Sequence, residues 1–221
     1  MKKRKNPFYF LLGGLLITLL IAPIVGARFP AIGSSIFTVT LLVSVLGMSA
    51  SKRLYIAAWA LVAAKVLMDV VGRLHPVKEV FVAEIIVLFL FFVLAIVFAF
   101  RRVLEDESVD LNRIAGAISI YMLIGLLWTS FYFFLTLIDP QAFKGIPNLN
   151  TFDPMLLRTA YTDLLYFSYV TLSTLGYGDI TPVSRAAQSF SYLEAISGIM
   201  YVAVLVSALV GAYGNKRIVR A

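Results

Sequence analysis

The residues best suited to chemistry in this sequence are six in a row, Thr174 to Asp179, which read T-L-G-Y-G-D. Glycine reaches left-handed backbone angles at no steric cost, so Gly176 and Gly178 permit a backbone whose successive carbonyl groups face the same way. Such a ladder of oxygens can replace the water around a dehydrated cation. Because one ladder cannot surround an ion and four around a cyclic axis can, the motif predicts a tetramer.

The preceding segment predicts how this motif is held. Tyr161 to Leu172 is apolar and aromatic, too short to span a bilayer but long enough for a re-entrant half-helix. Asp139 to Thr159 is polar, contains Pro and Gly, and is predicted to be an exposed loop. Non-helical backbone at membrane depth is tolerated only where it is buried in protein or lines an aqueous path. A half-helix followed directly by Gly-Tyr-Gly therefore predicts a pore.

The composition indicates a membrane protein. Of 221 residues, 61% are hydrophobic and 14% are charged, whereas soluble domains are about half apolar and about a quarter charged. The absence of cysteine excludes disulfides and thiolate metal sites, and the single His75 is interpreted as a solvated loop residue, with a pH sensor as the alternative. The basic residues lie at the ends of apolar runs, so the net charge of +7 does not predict a nucleic-acid partner.

Six apolar stretches are long enough to cross a bilayer as helices, since a span needs about 20 residues. They are Phe8 to Ala27, Ala31 to Ala50, Leu54 to Val71, Val80 to Phe100, Ile114 to Ile138 and Ala186 to Tyr213. The first stretch follows Lys2 to Lys5 like a signal peptide, but it is long and lacks a clear cleavage site, which favours a retained helix. The sequence thus predicts an all-α, multi-pass membrane protein.

Charge predicts the orientation and the domain organisation. More Lys and Arg lie in the segments that share the side of the N-terminus than in the others, so both termini are expected in the cytoplasm, with the protein in the cytoplasmic membrane. The charged run Arg101 to Asp110 predicts a short helix along the membrane surface, and its acidic residues lack the spacing of a calcium loop. We therefore predict a four-helix peripheral domain (1–100), a linker (101–113) and a pore domain (114–221).

The run Thr171-Leu172-Ser173-Thr174-Leu175-Gly176-Tyr177-Gly178-Asp179 resembles the signature of the potassium-channel family, and the six-helix layout resembles its bacterial six-span members. The resemblance implies a homotetramer in membrane lipid, with K+ in a selectivity filter and no other cofactor. The carbonyl groups expected to face the ion are those of Thr174, Leu175, Gly176 and Tyr177, and the Thr174 hydroxyl is expected to add a ring at the inner end.

The resemblance also implies roles for residues around the filter. Gly198 lies where many family members carry a gating hinge, although close helix packing is an alternative. Tyr166 and Phe167 occupy positions where the family often has a tryptophan pair behind the filter, and Tyr166 is expected to hold Asp179. Ser173, which stands where threonine is common, is the second candidate for filter support.

Four ionisable residues fall within the predicted spans: Lys65, Asp69, Glu84 and Glu194. Charges in a membrane are functional by default, but a structural network is favoured here. Lys65 is four residues before Asp69 and at the same depth as Glu84 of the next helix, which predicts contacts with both. Glu194 is expected to face either the back of the half-helix or the cavity, and a hydrogen-bonded structural role is favoured.

Passive K+ conduction is the function that these patterns predict. The fourth span, Val80 to Phe100, has no Lys or Arg in its interior, so no charged voltage sensor is expected. The alternatives are a non-selective cation channel, a secondary transporter with a broken helix, and a non-conducting scaffold. A transporter would be expected to have a second interrupted segment, which the first four spans lack. No catalytic constellation is present, so the protein is not expected to be an enzyme.

Overall fold

The computed structural model describes residues 7–47, 52–105, 110–149, 153–207 and 211. Within these ranges the helices are α1 (Pro7–Arg28), α2 (Pro30–Gly47), α3 (Lys52–Leu74), α4 (Lys78–Glu105), α5 (Leu111–Ile138), α6 (Pro154–Leu172) and α7 (Arg185–Met200). A π-helical segment, Tyr201–Val206, continues α7. Two short strands, β1 (Phe143–Lys144) and β2 (Thr181–Pro182), pair antiparallel. The fold is therefore almost entirely helical, with one small antiparallel strand pair that the sequence did not predict. Its two strands lie on either side of α6 in the chain.

Four of the described helices, α1, α3, α4 and α5, are long and apolar enough to cross a membrane. α2 contains a shorter apolar run, Ile32–Val45. The predicted sixth span reaches Tyr213, and its end lies outside the described residues. The structure thus supports a multi-pass membrane protein, while the count of six spans stays a prediction.

Helix α5 lies between the first four helices and the half-helix. It contacts α1, α4, α6 and α7, and aromatic side chains make many of these contacts. Phe133 of α5 meets Phe81 of α4 edge to face at 5.5 Å and Tyr161 of α6 at 5.8 Å between ring centroids. Because lipid is as apolar as these side chains, close packing is what holds such helices together in a membrane. α5 therefore connects the predicted peripheral domain to the segment that carries the motif.

The end of α4 corrects one prediction. Arg101 to Glu105 form the last part of α4 instead of a separate helix along the membrane surface. Val103 is fully buried in a cluster that includes Ala99 and Ala115, and the guanidinium of Arg102 lies 5.9 Å from the centre of the Phe8 ring. These contacts with α1 and α5 favour continuation of the helix beyond its apolar stretch.

Several predicted features lie outside the described residues. They are the basic residues at both ends of the chain, Lys2 to Lys5 and Lys216 to Arg220, and two of the four acidic residues of the charged run, Asp106 and Glu107. Asp110 is described, and its side chain caps α5 by accepting a hydrogen bond from the Arg113 backbone N–H at 2.8 Å. An acidic residue at this position is a common helix start, which agrees with its interpretation as a structural residue.

The start of α6 corrects a second boundary. The sequence predicted a loop as far as Thr159, but the helix begins at Pro154. Asp153 caps it by accepting a hydrogen bond from the Met155 N–H at 2.7 Å. Proline is favoured in the first turn of a helix because its missing N–H would be unpaired there, so Asp-Pro was the local signal for this start.

Candidate functional site

In the loop that follows α6, residues with a positive φ angle alternate with residues that lack one. Thr174, Gly176 and Gly178 have φ angles of 61°, 59° and 80°, and neither Leu175 nor Tyr177 between them has a positive φ. This alternation allows successive carbonyl groups to face the same side of the chain. The left-handed angles predicted for the two glycines are confirmed.

Thr174 is a site residue whose conformation the sequence did not reveal. A β-branched residue with positive φ is an outlier, and such strain costs about 1–3 kcal/mol. The Thr174 N–H donates to the Thr171 carbonyl and the Leu175 N–H donates to the Val170 carbonyl, each at 2.9 Å. These two bonds fasten the beginning of the loop to the last turn of α6 and hold Thr174 in its unusual conformation.

The segment between α5 and α6 holds the other end of the loop. β1 and β2 place Lys144 opposite Thr181, just beyond the motif. Gly145 follows β1 with a φ of 95°, and a Cβ at this position would overlap the backbone oxygen of Asp179. The chain therefore needs glycine at 145 both for its backbone angle and for this close approach. The sequence predicted only an exposed loop around Gly145, without this role.

Tyr166 and Asp179 are in contact, as predicted. The Tyr166 hydroxyl interacts with the Asp179 carboxylate and lowers the pKa of that carboxyl. The Tyr166 ring also stacks on Tyr177, with 6.5 Å between centroids and 5° between planes. The neighbouring Phe167 turns the other way and packs against Tyr132 and Phe143. Tyr166 thus links the half-helix directly to two residues of the motif.

Ser173 lies at the junction between α6 and the loop. Its hydroxyl donates to the Tyr169 carbonyl at 2.7 Å, one turn back in α6. The same carbonyl also accepts a hydrogen bond from the Ser173 backbone N–H at 3.1 Å. Ser173 therefore stabilises the end of α6, and its predicted role in supporting the loop remains a prediction.

Gly198 of α7 lies at a crowded crossing with the end of α6. A Cβ on Gly198 would overlap the carbonyl oxygen of Leu172, the last residue of α6. The same carbonyl accepts a hydrogen bond from the Tyr121 hydroxyl of α5 at 3.1 Å. Three helices therefore meet directly before the loop. This arrangement supports the close-packing interpretation of Gly198, while a hinge role stays a prediction.

Glu194 is fully buried on the side of α7 that faces α5 and α6. The Tyr132 hydroxyl of α5 donates to its Oε2 at 2.7 Å, and Ser168 Oγ of α6 lies 2.6 Å from its Oε1. Of the two predicted orientations, the structure therefore has the one toward the back of the half-helix. Glu194 joins the three helices through hydrogen bonds, which agrees with the structural role that the sequence favoured.

The predicted network around Lys65 is confirmed. Its Nζ lies 2.7 Å from Asp69 on the same helix and 3.1 Å from Glu84 on α4, and the residue is 1% exposed. Asp69 also accepts hydrogen bonds from Ser34 and Thr38 of α2. The sequence did not predict this contribution of α2, because Ser and Thr are too common in membrane helices to indicate partners.

The Lys65 network also reaches toward the half-helix. Lys65 and Glu84 line a crevice of about 100 Å³, together with Arg158 and Tyr161 of α6. The Arg158 guanidinium lies 5.7 Å from the centre of the Phe81 ring, at the edge of this crevice. The first four helices and α6 therefore share a polar boundary, although no charged side chain of this boundary contacts the loop in the part of the chain that is described.

The comparisons with known proteins concern the region just described. Residues 149–214 match the ion-channel family. This ion-channel segment contains α6, the loop and α7. It covers less than half of the chain, and the first four helices lie outside it. The match and the apolar helices together make this a membrane protein with an ion-channel segment.

Several relatives that match part of this chain are named as potassium channels. The Voltage-gated potassium channel Kch of Escherichia coli (strain K12) is 37% identical over 84 residues, which are 37% of this chain and 19% of that protein. The Two pore potassium channel c of Oryza sativa subsp. japonica is 50% identical over 48 residues, 22% of this chain and 10% of that protein. The Two-pore potassium channel 3 of Arabidopsis thaliana is 44% identical over 48 residues, which are 22% of this chain and 11% of that protein. The chain thus matches at most about a fifth of the length of these curated relatives.

Proposed function

We propose that this chain is one subunit of a homotetrameric channel that conducts K+ selectively and passively across the cytoplasmic membrane. The observation that carries the proposal is the alternating backbone at Thr174, Gly176 and Gly178, in a loop fastened at both ends. Its place within the ion-channel segment and the similarity to potassium channels support the same function. A channel, unlike an enzyme, needs no reacting side chain, only oxygens at fixed positions.

In this proposal backbone oxygens replace the hydration shell of K+. The ligands are the carbonyl groups of Thr174, Leu175, Gly176 and Tyr177, with the Thr174 hydroxyl as an inner ring. Gly178 gives the backbone its last left-handed angle, and Asp179 anchors the outer end through Tyr166. The C-terminal end of α6 adds a partial negative charge at the entrance to the loop, which favours a cation there.

The surface of a single chain supports assembly into a tetramer. Leu175 is 59% exposed and Tyr177 is 68% exposed, although both are large apolar or aromatic residues in a loop that is otherwise firmly held. Exposed apolar groups concentrated at one place indicate a surface that another protein covers. Fourfold assembly would cover these side chains with neighbouring subunits and place four oxygen ladders around one axis.

The remaining organisation is proposed from the sequence patterns together with the fold. Residues 1–100 form a peripheral domain, 101–113 a linker that includes the end of α4 and the start of α5, and 114–221 the pore domain, with six spans and both termini in the cytoplasm. α6 is the re-entrant pore helix. The contacts of α5 with α1 and α4 give the peripheral domain a rigid attachment to the pore domain.

Ion efflux from liposomes tests this function against a transporter. Purified protein in K+-loaded liposomes is expected to release K+ down its gradient when a protonophore compensates the charge, with no requirement for a second ion coupled through the protein. A K+-sensitive electrode measures the release, and native mass spectrometry of the same preparation measures the oligomeric state. Release that requires a specific counter-transported ion even with the protonophore present would favour the transporter, and a stable dimer would contradict the fourfold assembly.

Channel opening is expected to depend only weakly on membrane voltage. One elementary charge that crosses the field gains about 2.3 kcal/mol per 100 mV, and steep channels move about 3–4 such charges per subunit. α4 carries Arg101 and Arg102 only at its end, and Glu84 in its interior is paired with Lys65. Open probability measured over a wide voltage range in symmetric K+ should change little. An activation curve as steep as several charges per subunit would contradict this expectation.

A further inference from the structure

Glu194 is a buried carboxyl group with no cation beside it among the residues that the structure describes. The side chain and its partners Tyr132 and Ser168 are all 0% exposed. The titratable groups that interact electrostatically with it are tyrosines, namely Tyr121 and Tyr132 of α5 and Tyr169 of α6. Within residues 7–47, 52–105, 110–149 and 153–207, no ion pair includes Glu194. An ionised carboxylate in such surroundings is costly, because the two hydroxyl contacts replace only part of the solvation that it loses.

If Glu194 is ionised, the hydrogen-bonding groups around it supply one proton too few. Ser168 has a single hydroxyl proton, and its Oγ lies 2.6 Å from Glu194 Oε1 and 2.8 Å from the Gly125 carbonyl oxygen. Both of these oxygens could only accept, because a carbonyl and an ionised carboxylate carry no proton. A proton given to one acceptor would leave two lone pairs facing each other at the second contact, and a shared proton would weaken both bonds.

A proton on Glu194 resolves this conflict. We propose that Glu194 is protonated at neutral pH and donates a hydrogen bond to Ser168, which in turn donates to the Gly125 carbonyl. Tyr132 then donates to Oε2, which remains an acceptor. Each proton is used once, no net charge is buried, and one continuous chain of hydrogen bonds runs from α7 through α6 to α5. Fully satisfied buried networks of this kind rigidify their surroundings.

This chain of bonds makes Glu194 a positioning residue for the loop. Ser168 lies on α6, less than two turns before the end from which Thr174 emerges. Loss of the Glu194 proton would add a buried charge in each subunit and remove one hydrogen bond behind the loop. The unfolded chain releases this proton at the pH usual for a glutamate, whereas the folded protein keeps it, so the stability of the protein is expected to fall as the pH rises from acidic to neutral values and to level off once the folded protein also loses the proton. The geometry of the loop is expected to change at that second, more alkaline step. The part of this inference that concerns conduction rests on the proposed channel function.

Infrared spectroscopy tests the protonation directly and does not depend on conduction. The wild-type protein in lipid at neutral pH should show the carbonyl-stretch band of a protonated carboxyl group, and Glu194→Gln should lose it. Glu84→Gln is the matched control: Glu84 is also a membrane glutamate, but it is paired with Lys65 and should contribute no such band. If the wild-type and Glu194→Gln proteins give the same spectrum in this region, the proposal is wrong.

The pH dependence of thermal unfolding is the second measurement. A glutamine amide can donate to Ser168 and accept from Tyr132 but has no proton to exchange, so Glu194→Gln should be at least as stable as the wild type at neutral pH. Its melting temperature should change less with pH than that of the wild type, which should fall from acidic to neutral pH. A Glu194→Gln protein that is clearly less stable than the wild type at neutral pH would show that the negative charge is needed. Absence of conduction in a protein that has the infrared band would count against the channel function and not against the protonation.

Discussion

Gly178→Ala is expected to abolish selective K+ conduction while the helices remain folded. The φ of Gly178 is 80°, beyond the left-handed region of about 50–70° that other residues occasionally occupy. Placing an alanine in left-handed backbone costs about 1–2 kcal/mol, and a tetramer contains four such positions around one axis. No heavy atom lies within 4 Å of a Cβ at this position, so the effect comes from the backbone angle and not from a collision within the subunit.

The matched control for this variant is Gly13→Ala in α1. Gly13 also has no atom within 4 Å of an added Cβ, but it lies in a regular helix without a positive φ. Bilayer recordings should show normal K+ over Na+ preference for Gly13→Ala and none for Gly178→Ala, with equal helix content by circular dichroism. An unchanged ion preference in Gly178→Ala would refute the assignment of Thr174 to Asp179 as the filter.

Gly198→Ala is expected to destabilise the protein and impair conduction together. The added methyl group would overlap the backbone oxygen of Leu172, which cannot rotate away as a side chain could. Overpacking of this kind costs about 1–3 kcal/mol per site. To relieve the overlap, α7 must move away from the end of α6, and this shift disturbs the helix end that holds Thr174.

This variant also separates the two interpretations of Gly198. Gly72→Ala in α3 serves as the control, because the nearest atom to its added Cβ is Val80 Cγ1 at an ordinary 3.5 Å. If Gly198 is needed for packing, Gly198→Ala lowers the melting temperature by several times the change seen for Gly72→Ala. If it acts only as a hinge, the melting temperature stays normal and the open probability changes.

Where the sequence predicted the structure well, local rules were sufficient. The left-handed angles at Gly176 and Gly178 follow from residue type, since glycine alone accepts them without strain. The contact between Lys65 and Glu84 follows from helix geometry, because a rise of about 1.5 Å per residue places both at the same depth. The interaction between Tyr166 and Asp179 was expected from the resemblance to potassium channels.

The features that were missed depend on contacts between distant segments. Gly145 is adjacent to Asp179 only because β1 pairs with β2, and two strands of two residues each have no detectable periodicity. Thr174 is held at a positive φ by hydrogen bonds to α6, although its type disfavours that angle. α4 continues past Arg101 because Val103 is buried against another helix. Residue preferences are weaker than such tertiary contacts, so these features could not be derived from the sequence alone.

The most direct test of the central claim is the reversal potential of the purified protein in a planar bilayer with K+ on one side and Na+ on the other. If Thr174 to Asp179 form a K+-selective filter, current should flow in single-channel steps, and the reversal potential should be displaced far from zero in the direction that K+ permeation dictates. A reversal potential close to zero would indicate a non-selective cation channel, and the absence of any current across all voltages would contradict a conducting pore.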